Sequence, residues 1–190
     1  MAKCKFFYGS NAVSPKGTSN WNYINTRVNV VNDEEKGYGT TLAFSKADTD
    51  ELLKKLKGIY EEAKESEEGK ELQWKGEPHL SSEDNEGNIV FKFKRTRKDE
   101  NGEWQKIPLV DTHNKPLPLE TNIGTGSILR AIYQPAVYWV NKSNAGVTLF
   151  LEKVQVVELK SFGGGSGSPV DFPVEDGGSS VDFPSDDDII

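Results

Sequence analysis

Along residues 89–94 apolar and polar side chains alternate, Ile89, Phe91 and Phe93 against Val90, Lys92 and Lys94. A period of two predicts a strand with one apolar face, and the opposite face here is mostly cationic. Residues 3–8, 21–31 and 38–44 are rich in aromatic and β-branched side chains, separated by Gly, Pro and Asn clusters, and are predicted as strands. Between residues 48 and 68 the period changes. Leu52, Leu53, Leu56, Ile59, Tyr60 and Ala63 recur at i, i+3, i+4, i+7 spacing, the stripe of one amphipathic helix whose charged face meets solvent. Ser45 followed by Asp48 resembles a capping box at its start. Farther on, Asn101-Gly102 signals a hairpin leading into residues 104–110. Residues 127–133, 136–140 and 147–159 complete the β set, with Pro135 and residues 141–146 as breaks. The pattern predicts a mostly-β body with one inserted helix, closing on itself as a small barrel.

Composition divides the 190-residue chain into a body, residues 1–160, and a tail, residues 161–190. The tail is rich in Gly, Ser and Pro, has no Lys or Arg, and carries seven acids: Asp171, Glu175, Asp176, Asp182, Asp186, Asp187 and Asp188. The whole chain has 30 acidic and 23 basic residues, so the body balances to zero and the tail holds the entire net charge of −7. Such a segment buries too little apolar surface to offset chain entropy and is expected to be disordered. Gly163-Gly164-Gly165-Ser166-Gly167 reads as a flexible linker, and Val170-Asp171-Phe172-Pro173 is echoed by Val181-Asp182-Phe183-Pro184. The ending Asp186-Asp187-Asp188-Ile189-Ile190 places apolar residues behind a charge run, as a docking peptide would. No stretch approaches the roughly 20 apolar residues of a membrane helix, and residues 1–5 lead into no apolar run of signal-peptide length. A cytoplasmic protein without a membrane partner is expected. Cys4 is the only cysteine, which excludes an intramolecular disulfide and a cage of several thiolates.

Catalysis finds little support. His79 and His113 lie in loop-like sequence without metal-binding spacing, and no nucleophile–base pair is evident. Ile123-Gly124-Thr125-Gly126-Ser127 resembles a phosphate loop but lacks the Gly-Lys-Ser/Thr ending and runs into a strand; a glycine bend at a barrel corner accounts for it better. No catalytic residue, metal ligand or cofactor is assigned. Nucleic-acid binding finds more. Residues 1–32, 88–98 and 121–151 contain no Asp or Glu. Within them Phe6, Phe7, Tyr8, Trp21 and Tyr23 interleave with Lys3, Lys5 and Arg27, and Tyr133, Tyr138 and Trp139 accompany Arg130. Sequence-tolerant binding of single strands takes cations for phosphates and aromatic faces for bases, and these segments supply both. A strand aromatic is nonetheless more often core than platform.

These residues resemble the single-stranded-DNA-binding proteins that short-tailed bacteriophages encode for replication. The likeness runs through Phe91-Lys92-Phe93-Lys94, residues 107–110, Ile123-Gly124-Thr125-Gly126-Ser127, Trp139, residues 146–159, Phe162-Gly163-Gly164-Gly165 and the acidic tail. It is dense over residues 88–165 and thin between residues 13 and 80. The resemblance implies an OB-fold, a five-stranded barrel with extra strands and the inserted helix, in the cytoplasm of an infected bacterium. It implies sequence-tolerant binding of single-stranded DNA, strand annealing, and frequently a homodimer. It also implies a tail that docks on the phage polymerase and helicase/primase and competes with DNA for the body. By position Lys3, Lys94, Trp139 and Arg130 are the DNA contacts it suggests. The tail's apolar ending departs from the family's aromatic one.

Two functions are carried forward. In the first, Lys3, Lys5, Lys92, Lys94, Arg95, Arg97 and Arg130 hold phosphates, Tyr138 and Trp139 stack bases, and Asp186, Asp187, Asp188, Ile189 and Ile190 engage a replication partner. In the second, the barrel is a protein–protein adaptor whose acidic tail is the ligand or a mimic of DNA.

Overall fold

The computed structural model describes residues 5–72, 74, 81–141 and 144–160. In chain order the strands are β1 (Lys5–Tyr8), β2 (Ala12–Val13), β3 (Gly17–Tyr23), β4 (Val30–Val31), β5 (Glu34–Glu35) and β6 (Tyr38–Phe44). Helix α1 (Lys46–Glu65) follows, then β7 (Ser82–Glu83), β8 (Ile89–Arg95), β9 (Leu109–Val110), β10 (Ile128–Asn141) and β11 (Asn144–Glu158). The body is mostly β with one helix. Its sheet is mixed, because β8 and β9 both run parallel to β11 while the other pairings are antiparallel.

The sheet has nine strands among the described residues, more than a bare five-stranded barrel needs. Five of them nonetheless pair in a circuit: β3 with β6, β6 with β8, β8 with β11, β11 with β10, and β10 back to β3. The side chains turned into that circuit form the main core, including Leu42, Phe44, Phe91, Phe93, Leu129, Tyr133 and Leu151. Burying each such side chain is worth roughly 1.5–3 kcal/mol. Helix α1 contributes Leu52 and Leu56 to this core. One turn on, Ile59, Tyr60 and Ala63 pack in a second core under Val137 and Trp139. The stripe expected of the helix is thus buried, with Leu53 only partly so. Asp48 N–H donates to the Ser45 hydroxyl as in a capping box, but the Ser45 hydroxyl also donates to the Asp48 carboxylate at 2.6 Å, so the aspartate does not reach back to the backbone.

Strand β10 organises the rest. One edge pairs with β11 over its whole length, while the other receives β3 at Ile128–Leu129, β2 at Ile132–Tyr133 and β1 at residues 136–139. The far halves of β10 and β11, with β1 alongside, extend beyond the circuit, and the helix covers the inner face of this extension.

Pro135 was expected to break the strand and does not. Gly9 N–H donates to the Pro135 carbonyl at 2.8 Å, and proline has no N–H to return. The Gln134 side-chain amide supplies the missing donor to the Gly9 carbonyl at 3.2 Å. The expected strand over residues 21–31 is shorter, because Asn25 takes φ 56° and its side chain clips the Ile107 backbone at both N–H and C=O, bending the chain away. After Asn101-Gly102 only the Lys98–Trp104 bridge forms before β9, so that hairpin is a turn and not a pair of strands. The Gly124–Ser127 segment is a corner. Gly126 sits at φ 85° and donates to the Ser19 carbonyl, while Ser127 Oγ accepts from Lys160 N–H at 2.9 Å.

Candidate nucleic-acid interface

Directly paired residues in neighbouring strands share a face of the sheet. Trp21 pairs with Thr41 and Thr41 with Lys92; Tyr23 pairs with Gly39 and Gly39 with Lys94. Two aromatic rings on β3 and two ammonium groups on β8 therefore stand on one outer face, with small residues of β6 as the floor between them. The result is a groove of about 670 Å³, whose lining also includes Asn29, Val31, Glu35, Lys36 and Trp104. Trp21 is 63% exposed, a large price for a core residue and an ordinary state for a platform.

Strands β4 and β5 form one wall. Asn32 and Asp33, at φ 52° and 61°, make the two-residue turn with both central residues left-handed. The hairpin is fastened: Trp104 Nε1 donates to the Glu35 carboxylate at 2.7 Å, and Lys36 N–H donates to the Asn29 carbonyl at 2.7 Å. Glu34 is taken up by Lys36. Further cations lie over aromatic rings, Lys98 4.5 Å above Trp104 and Arg27 4.8 Å above Tyr23. At the groove's centre Lys94 has its pKa lowered, first by burial of its ammonium and then by the charge of Lys92. A phosphate placed there would favour the charged form and offset both effects.

Of the described residues expected to hold DNA, only Lys92 and Lys94 line this groove. Arg95 is a fastener: its guanidinium reaches Glu152 at 2.7 Å, the Leu151 carbonyl at 3.3 Å and Gln105 at 2.9 Å. Arg97 lies 3.2 Å from the same Glu152, so one carboxylate engages both arginines. Lys5 is opposite Trp139, on the helix side of β1, and forms an ion pair with Glu68 at 3.2 Å. Arg130 is half-buried beside Gln155, five residues along β11 from Phe150, the partner of Lys94, or roughly 15 Å away.

Trp139, expected to stack bases, is 6% exposed and packs with Ile59, Tyr60 and Ala63; it is core. Tyr138 points the other way, onto the outer face. It lies across β11 because Gly146 has no side chain: a Cβ there would sit 2.7 Å from the tyrosine oxygen. Lys3 and the docking residues Asp186, Asp187, Asp188, Ile189 and Ile190 lie outside the described residues. Composition and charge give no hold on Thr41 and Gly39, whose contribution is the room they leave. The period of two in β3, carrying Trp21 and Tyr23 to one face, was the available signal.

No family model matches the chain. The single-stranded DNA-binding protein of Escherichia phage T7 is 30% identical over 173 residues, covering 76% of this chain and 75% of that protein. Its counterpart from Enterobacteria phage T3 is 29% identical over 174 residues, covering 77% and 75%. Among solved structures, gp2.5, a single-stranded DNA-binding protein encoded by bacteriophage T7, superposes with a TM-score of 0.56 at 25% identity, over 85% of this chain and 95% of that one. The single-stranded DNA-binding protein from bacteriophage Enc34, in complex with ssDNA, gives a TM-score of 0.61 over 80% of this chain and 89% of that one. Its 15% identity makes this a likeness of fold.

Proposed function

This chain belongs to the family of bacteriophage single-stranded DNA-binding proteins, and on that footing we propose that its groove holds single-stranded DNA without regard to sequence. The observation that carries the proposal is the row across β3, β6 and β8, which sets exposed Trp21 opposite Lys92 and Lys94 over a floor of small residues. Stacking on a ring is open to every base, and ammonium groups read phosphate alone, so the pairing of the two gives affinity without specificity. We read the five-strand circuit as an OB-type barrel, in which the second and third strands, here β6 and β8, present the binding face.

Anisotropy titrations of a labelled oligothymidylate at several salt concentrations test this. Affinity should fall steeply with salt, with a logarithmic slope of about −0.7 per phosphate contact. Lys92→Glu and Lys94→Glu should each weaken binding and flatten the slope by about one contact. Undetectable affinity at low salt would favour the adaptor function.

The remaining roles rest on the resemblance and on the composition of residues 161–190. We assign to the protein strand annealing in the infected bacterium, and to its tail the docking of polymerase and helicase/primase. Deleting Ile189 and Ile190 keeps all seven tail carboxylates. It should abolish capture of the polymerase at moderate salt while leaving DNA affinity within about twofold, because two buried isoleucines are worth several kcal/mol and charge alone is screened.

A further inference from the structure

The row of outward side chains continues past Lys94, away from Trp21. Lys94 is paired with Phe150 on β11, Phe150 with Gln134 on β10, and from there the outer face leads to β1. On β1 the outward residues are Phe6, paired with Tyr138, and Tyr8, paired with Ala136. Phe6 and Tyr8 lie nearly parallel, 5.6 Å apart at 22°, and Phe150 is 5.7 Å from the first ring and 6.0 Å from the second. Half-buried Tyr138 lies alongside on Gly146. Phe6 is 38% and Tyr8 52% exposed. The core does not require them: the other face of the same strands, through Phe7, Val137 and Trp139, packs against the helix.

We propose that Phe6, Tyr8, Tyr138 and Phe150 form a second base-stacking platform, which takes the same single strand as it leaves the groove past Lys94. The proposal rests on the reading of the groove as a single-stranded-DNA site. What favours a nucleic acid as occupant is charge and continuity. All four rings lie in sequence segments without a single Asp or Glu, so no carboxylate of β1, β10 or this half of β11 repels a phosphate, and the patch adjoins the groove through the Lys94–Phe150 pairing. At about 4.8 Å between strands, the path from β3 to β1 crosses five spacings, or roughly 24 Å. Trp21 and the second platform thus stand at its two ends with the lysines between, an arrangement that holds a longer strand than the groove alone.

The test compares oligothymidylates graded in length. Wild type should gain affinity with length in two stages, first as the groove fills and then as the platform does. The double variant Phe6→Ala/Tyr8→Ala should keep its affinity for the shortest binding oligomer within about twofold and lose at least tenfold for the long ones, with an unchanged salt slope, since rings and not phosphate contacts are removed. Phe6→Tyr/Tyr8→Phe, which keeps both rings, should behave as wild type, and the alanine variant's retained affinity for the shortest oligomer shows that its loss is not one of folding. Unaltered affinity of the alanine double variant for long oligomers, while Lys94→Glu weakens all lengths, would overturn the platform and leave the groove standing. Absence of wild-type binding at every length would overturn both. A change in sedimentation of the double variant with no change in DNA affinity would instead make the patch a contact between copies of the chain.

Discussion

Lys94 works against the fold and in favour of the ligand. Its ammonium is partly withdrawn from water beside Lys92, so its pKa in the folded body lies below that of the unfolded chain. For a base the sign is then fixed: as pH rises through the lowered value, the unfolded chain binds more protons than the folded one, and stability rises. At neutral pH the charged group is a load on the native state. Lys94→Met should therefore raise the melting temperature while weakening DNA binding and flattening the salt slope by about 0.7. DNA affinity of the wild type should also begin to fall at a lower alkaline pH than ordinary lysines would dictate, and Lys94→Arg should remove that early loss because a guanidinium stays charged. A melting curve and an affinity–pH profile for the two variants check both halves.

The tryptophans divide the same way. Trp21→Ala should cost about 1–3 kcal/mol of DNA affinity with little change in melting temperature. Trp139→Ala should cost about 3–5 kcal/mol of stability, read by urea denaturation. Both lie in acid-free β sequence, which is why charge patterning alone did not separate them. Alternation could have done so in part: Tyr138 and Trp139 are neighbours on a strand and cannot share one platform. Which of the two faces inward depends on where the helix packs, a long-range fact that no local period contains.

At the level of elements, helix α1, strand β6 and the alternation of β8 are local patterns, and they were legible to within a few residues. Strand β10 was not, because its continuity depends on a hydrogen bond from Gln134 to a glycine 125 positions earlier. That bond predicts a coupling. Gln134→Ala should cost about 1 kcal/mol by leaving the Gly9 carbonyl short of a donor. Pro135→Ala restores a backbone N–H at that point, so the same glutamine substitution should cost much less in its background. A double-mutant cycle by chemical denaturation measures the difference, and additive costs would remove the side chain from the ladder. Arg95 and Arg97 show another contact that local pattern does not contain: Glu152, more than fifty positions on, pairs with both.

For the molecule as a whole, the decisive feature is that one edge of β10 is the docking line for β1, β2 and the start of β3. Viewed as a sequence of events in time, this makes the beginning of the chain wait for its end. At about 5–20 residues per second, roughly 7–27 s separate the synthesis of Tyr8 from that of Asn141. During that interval Phe6 and Tyr8 have no β10 to lie against. A nascent chain stalled before Ile128 should therefore leave residues 5–13 open to protease, and one released in full should protect them. Closing contacts of such long range also places refolding of the body among slow β topologies, in milliseconds to seconds. The aromatic strand Lys5–Tyr8 is consequently without its partner strand until β10 has been made.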